Sequence, residues 1–201
     1  MNIKIQKLTP GIAEDYARFF DTTPHDGSAE TKCYCLTWCG DNAYQNGGSH
    51  WYPTPEERRI HAIRRIQNGD LQGYLAYKDD KIVGWCNANT KADCQGCMNY
   101  LRFDCGVPLE GCREDEKVKF VFCFVIAPEM QRKGVAAQLL AHICQDAAAD
   151  GFDFVEAYVN EKFVDVARDF RGPLAMYEKC GFHKYASQDG KVVMRKAVKN
   201  A

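Results

Sequence analysis

Long apolar runs are missing from this sequence. No stretch of 18 consecutive apolar residues occurs in its 201 residues, so no transmembrane helix is expected. An excess of charge of one sign is missing too. Lys and Arg total 26 against 27 Asp and Glu, a formal net charge of -1, whereas a dedicated nucleic-acid binder carries a basic stripe. Neither a membrane nor a nucleic acid is therefore expected as a partner. The opening residues, Met1 to Lys7, alternate like a strand and lack the apolar stretch of a signal peptide, which makes a cytoplasmic location the expectation. Internal repeats and low-complexity tracts are absent as well. A chain of this length can bury most of its unfolded surface in one core. Residues 1–201 are accordingly expected to form a single domain, and nothing in the sequence sets an oligomeric state.

Cysteine is abundant. There are eleven, an odd number in a chain that is not short and shows no secretion signal, which argues against a disulfide framework. Cys86, Cys123, Cys144 and Cys180 lie inside periodic segments and are expected in the core, where a reduced thiol acts as a small apolar group. Cys94-x-x-Cys97, with Cys105 and Cys112, could hold a structural zinc. The second pair is spaced more widely than a knuckle, however, and reduced loop thiols are the expectation. His50, His61, His142 and His183 show no paired ligand spacing. No metal site is expected.

The pattern predicts an α/β layer fold. Ile3 to Leu8 alternates as a strand, and Ile12 to Phe20 follows as a short helix. Residues 21–53 are loop-like but carry Cys33, Tyr34, Cys35, Trp38, Cys39, Trp51 and Tyr52, too aromatic for a disordered linker. Thr54-Pro55-Glu56-Glu57 predicts a capping box with proline at the first helical position. Ile60, Ile63 and Ile66 are expected on one helical face, and Gly69 stops the helix. Strands are predicted over 73–77 and 81–87, joined by Asp79-Asp80. A long polar loop is predicted over 88–116 and a central strand over 118–126. A helix over 134–149 and a strand over 152–159 come next. Then come a helix from Gly172-Pro173 and a hairpin around Asp189-Gly190.

Residues 125–136, Val-Ile-Ala-Pro-Glu-Met-Gln-Arg-Lys-Gly-Val-Ala, carry most of the functional information. A hydrophobic run ends at a proline. A polar turn leads through Gln131-x-x-Gly134-x-Ala136 into an apolar-periodic helix. A helix N-terminus offers unpaired N–H groups and partial positive charge, so it attracts phosphate. Gly134 lets a ligand approach the backbone, Ala136 adds almost no bulk, and Arg132 and Lys133 add charge.

This loop resembles the acetyl-CoA loop of the GNAT superfamily of acetyl-CoA-dependent N-acetyltransferases. Tyr177-Glu-Lys-Cys-Gly181-Phe182 resembles the ending of that superfamily's late helix. The two segments lie in the family order and cover the C-terminal 80 or so residues. The resemblance implies a GNAT fold, a mixed central sheet with a splayed strand pair flanked by helices. It also implies acetyl-CoA as co-substrate and a primary amine of a small molecule or protein as acceptor. The expected cofactor residues are Phe124, Val125 and Ile126 on the splayed strand, then Gln131, Arg132, Lys133, Gly134, Val135 and Ala136.

Acetyl transfer also needs an oxyanion donor, a base and a proton for the departing thiolate. A main-chain N–H near Val125 is the expected donor. Tyr177 is the candidate general acid by resemblance, its alternative being a packing tyrosine. The strand 118–126 holds no carboxylate, so Glu156 on the next strand is the candidate base. Its alternative is a carboxylate on the other face, paired to a cation. Cys33-Tyr34-Cys35 and Val83-Gly84-Trp85-Cys86 loosely resemble a cysteine-bearing GNAT subgroup. In the family the region around the first two helices forms the acceptor wall, so Tyr34, Trp38 and Trp51 could line an acceptor pocket or fold the loop onto the core. A second function class stays open: a non-catalytic acyl-CoA-binding or thiol- or metal-sensing module on the same fold.

Overall fold

The computed structural model describes residues 2–23, 32–36, 54–94, 115–166 and 168–199. A seven-stranded sheet runs through it in the order β1-β2-β3-β4-β5-β7-β6. The strands are β1 (Lys4–Lys7), β2 (Gly73–Lys78), β3 (Lys81–Thr90), β4 (Val118–Ile126), β5 (Phe154–Asn160), β6 (His183–Gln188) and β7 (Lys191–Ala197). The helices are α1 (Ala13–Thr22), α2 (Pro55–Asn68), α3 (Lys91–Cys94), α4 (Val135–Ala149) and α5 (Leu174–Lys179). All neighbouring strands pair antiparallel except β4 and β5, which run parallel. This is the mixed, helix-flanked sheet expected from the sequence order.

Local chemistry explains most boundaries. The Thr54 hydroxyl accepts from the Glu57 N–H at 3.2 Å, and the Glu57 carboxylate accepts from the Thr54 N–H at 3.1 Å, closing the capping box. Asp79 and Asp80, at φ 49° and 60°, make the tight β2–β3 turn, and Asp189 and Gly190 do the same for β6–β7. Two expectations need correction. The inner face of α2 is formed by Arg58, Ala62, Arg65 and Ile66, while Ile60 is 63% exposed. Ile60 and Ile66 are six residues apart, which on a helix points them to different sides. The loop predicted from residue 88 instead begins as a continuation of β3 to Thr90, followed by the turn of α3.

The core sits on both faces of β3 and β4. On one face Tyr16 meets the Trp85 ring edge-on at 4.7 Å, and its hydroxyl donates to the Tyr34 carbonyl at 2.7 Å. On the other, α4 closes over Gly84, where an added Cβ would lie 2.9 Å from Ile126 and 3.2 Å from Val135. Cys86, Cys123 and Cys144 are buried as expected of apolar-like thiols, and Cys180 is half-buried. Among the described residues no helix is long and apolar enough to cross a membrane.

Gly73 tests how tightly this core is packed. A Cβ there would overlap the Trp85 ring and the Cys86 carbonyl. Backbone cannot yield cheaply, so Gly73→Ala should destabilise the protein by about 3 kcal/mol, the upper end of the over-packing range. Urea denaturation should show a lower midpoint at unchanged slope.

Candidate active site

Strand β4 carries an irregularity where it meets β3. Asn87 lies opposite Cys123 but Ala88 opposite Val121, leaving Phe122 as an extra residue, a β-bulge. On its other side β4 pairs with β5 only from Val118↔Phe154 to Val121↔Ala157. Both strands continue beyond that point, to Ile126 and Asn160. A gap therefore opens between them.

Strand alternation determines which backbone groups face the gap. The Ala127 N–H donates to the Val83 carbonyl at 3.0 Å, and Val125 lies opposite Trp85, so Val125 and Ala127 are turned to β3. Phe124 and Ile126 are turned the other way. The Phe124 N–H donates to the Phe170 carbonyl at 2.7 Å, and the Gln131 side-chain amide donates to the Ile126 carbonyl at 3.2 Å. The Val125 N–H, near which a donor was expected, thus faces β3, and the Ile126 N–H faces the gap.

Next to the gap stands the start of α4. Gly134 is its N-cap, in the left-handed conformation at φ 80°, and no side chain caps the first turn. A Cβ on Gly134 would meet nothing within 4 Å, so the space outside the backbone is open. Arg132 is held at φ 60°, an uncommon value for a non-glycine residue. The first N–H groups of this 15-residue helix and the Arg132 charge are chemistry that suits an anion.

One cavity of about 790 Å³ joins the loop to the gap. It is lined by every cofactor residue expected from the sequence except Lys133, which lies outside the lining. The facing wall includes Phe163, Val166, Asp169, Phe170 and Pro173, between β5 and α5, and Met176 of α5. The wall is mostly apolar, as small-molecule sites are. Sequence reading missed Phe163, Asp169 and Phe170, because the stretch between β5 and α5 has neither strand nor helix periodicity.

The sequence profile of the acetyltransferase (GNAT) family matches residues 34–182. The chain belongs to the GNAT acetyltransferase family. Solved structures agree on the fold. An acetyltransferase of GNAT family from Streptococcus pneumoniae superposes with a TM-score of 0.52 at 17% identity, over 98% of this chain and 99% of that one. The PaiA N-acetyltransferase of Thermoplasma acidophilum, solved in complex with coenzyme A, gives 0.51 at 16% identity, over 98% and 99%. The ribosomal-protein-S18-alanine N-acetyltransferase of Escherichia coli gives 0.50 at 14%, over 100% and 96%. None of the curated proteins matches the chain.

The two candidate catalytic side chains do not reach the cavity lining of this family member. Glu156 is fully buried on β5. One oxygen accepts from the Lys91 ammonium at 2.7 Å and the other from the Arg195 guanidinium at 2.5 Å, while Arg195 also pairs with Glu116 at 3.1 Å. The expectation that Glu156 faces the cleft as a base is corrected: it is the cation-paired carboxylate of the alternative reading. The reason is the register, which sets Glu156 directly opposite Arg195 on β7. Tyr177 is also fully buried. Its ring packs edge-on against Phe182 at 5.3 Å and its hydroxyl donates to the Arg171 carbonyl at 2.7 Å. Burial pushes this phenol well above its ordinary pKa. Its neighbour Met176 lines the cavity.

The Cys33–Leu36 turn is buried against the sheet and contributes nothing to the cavity. Tyr34 and Cys35 adopt φ 45° and 49°, and the Tyr34 hydroxyl donates to Asp21 at 2.6 Å. Cys33 and Cys35 are thiols, and the Cys35 N–H donates to the Cys33 sulfur at 3.4 Å. Cys33 is raised well above its usual pKa by its hydrogen bond with Cys35 and by burial, and Cys35 chiefly by burial. Such thiols are inert. Trp38, Cys39, Trp51 and Tyr52 lie outside the described residues, as do His50, Cys97, Cys105 and Cys112. Among the described residues no group of three or more His, Cys, Asp or Glu is arranged to hold a metal ion.

Glu156→Gln would leave Lys91 and Arg195 without the charge they share. Removing one partner of a buried pair typically costs about 3–5 kcal/mol. Denaturant unfolding should show a loss of that size. A variant as stable as the parent would mean that the cluster is dispensable.

Proposed function

We propose that this protein transfers an acetyl group from acetyl-CoA to a primary amine of a small molecule or protein. The observation that carries the reading is the cavity joining the uncapped start of α4 to the end of β4 that β5 no longer pairs. A pyrophosphate suits the first and an amide-bearing arm suits the second. Acetyl-CoA supplies the activated thioester. The first turn of α4, with Arg132, binds the pyrophosphate. The β4 backbone aligns the arm, and the Ile126 N–H donates to the oxygen on which charge develops, a contribution of roughly 3 kcal/mol for such a donor. The apolar wall excludes water. Tyr177 is the proposed proton source for the departing thiolate: its buried hydroxyl leaves the Arg171 carbonyl and turns toward the cavity that Met176 lines, and the proton released by the newly acetylated amine restores the phenol.

Acetyl-CoA at 100 times its dissociation constant should stabilise the protein by about 2.7 kcal/mol, visible as a raised melting temperature. Gly134→Val should fold but lose that shift, because a branched side chain fills the space left for phosphate and resists φ 80°. A wild type without shift or heat of binding would refute the reading.

The engaged Tyr177 hydroxyl and the paired Glu156 favour a second reading, a non-catalytic acyl-CoA-binding module. Thiol release over a panel of amines separates the two. Under the first reading Tyr177→Phe lowers turnover about 10², with acetyl-CoA affinity retained. Under the second, the wild type binds acetyl-CoA and releases no thiol.

A further inference from the structure

The residues between β5 and α5 do more than line the cavity. Phe170 sets its carbonyl oxygen on the Phe124 N–H at 2.7 Å. A loop residue, and not a strand, thereby satisfies a donor that β4 turns into the gap. Gln131 does the same for the Ile126 carbonyl. Buried backbone groups must be paired, and here the protein pairs its own. A ligand that lies along β4 and bonds to Phe124 has to take that N–H from Phe170.

Asp169 directly precedes Phe170 and is itself tied down at several points. The residue is 5% exposed. One carboxylate oxygen accepts from the Asn160 side-chain amide at the end of β5, and the other from the Val164 N–H at 2.5 Å. Its own N–H donates to the Asp165 carbonyl at 2.9 Å, and its carbonyl accepts from the Gly172 N–H at 2.8 Å. Asp169 thus fastens Val164 and Gly172 to one point at the end of β5. Asp165 plays no such part: its side chain is 47% exposed and accepts from the Arg168 N–H at 2.8 Å.

We infer that Asp169 is a positioning residue of the acyl-CoA site. It holds the Phe170 carbonyl on the Phe124 N–H when the gap holds no ligand, and acyl-CoA binds by displacing that carbonyl. The inference rests on the acyl-CoA reading above. Its consequence is a sign. Loosening a residue that only shapes the wall weakens binding, whereas loosening one that holds a competitor in place strengthens it.

Asp169→Asn leaves the Asn160 amide and the Val164 N–H competing for one amide oxygen. Asn160→Ala removes the other half of the clamp. Both variants should bind acetyl-CoA about 2- to 10-fold more tightly than the wild type by calorimetry, the range of one net hydrogen bond. Without ligand, the Phe124 amide should exchange with solvent at least about tenfold faster in the variants, while the Val125 amide, paired to β3, stays protected. Equal or weaker acetyl-CoA binding by the folded variants, or an unchanged Phe124 amide, overturns the inference. If the variants do not fold, the wild type decides: saturating acetyl-CoA should speed exchange at the Val164 and Asp169 amides and leave Phe124 protected. Unchanged exchange at Val164 and Asp169 overturns it. A wild type that binds no acetyl-CoA is a distinct result, which refutes the acyl-CoA reading and this inference with it.

Discussion

Two parallel strands that stop pairing halfway are the constraint on which this molecule depends. After Val121↔Ala157 the β4 and β5 backbones part. Every polar group they expose beyond that point needs a partner from somewhere else. The bulge at Phe122 marks where β4 changes its relation to its neighbours. The cavity, the Gln131 amide on the Ile126 carbonyl and the Phe170 carbonyl on the Phe124 N–H all follow from that parting.

The closed end of the same strand pair is held by charge. Glu156 lies opposite Phe120, within the paired part of β4 and β5. Through Lys91 it reaches across β4 to the end of β3, and through Arg195 it reaches β7. Arg195 also stacks on the Tyr185 ring at 3.9 Å, so the cluster spans to β6. A buried carboxylate with both oxygens bound by cations is a cross-brace between strands. It resists separation of the strands on the side where the sheet must stay closed. Removing one partner would leave an uncompensated buried charge.

The thiols tell a related story of burial over reactivity. Cys35 and Cys123 are in side-chain contact with each other, and burial raises both above their ordinary pKa. Cys35 and Cys123 fill the space between the Cys33–Leu36 turn and the sheet as small apolar groups, while Cys86, two residues on from Gly84, is buried on the α4 face. Abundant cysteine in this chain therefore reflects packing wherever the residues are described.

Local rules determined the elements. The Thr54 capping box, the Asp79-Asp80 and Asp189-Gly190 turns, the β4 run and the Gly134 helix start depend on residues adjacent in sequence, so they were legible there. The uncapped start of α4 was legible for the same reason, because a helix N-terminus and its glycine are neighbours. Only tertiary structure decided the rest. Whether Glu156 faces a cleft or Arg195 is settled by the register of β5 on β7, residues 39 apart. Whether the Tyr177 hydroxyl is free depends on a loop carbonyl that no pattern predicts. Which β4 N–H groups face the gap depends on a bulge in the pairing with β3. Sequence periodicity records which residues repeat along one element. It does not record which partner lies across from them, and that partner decides what a carboxylate, a phenol or a backbone N–H can do.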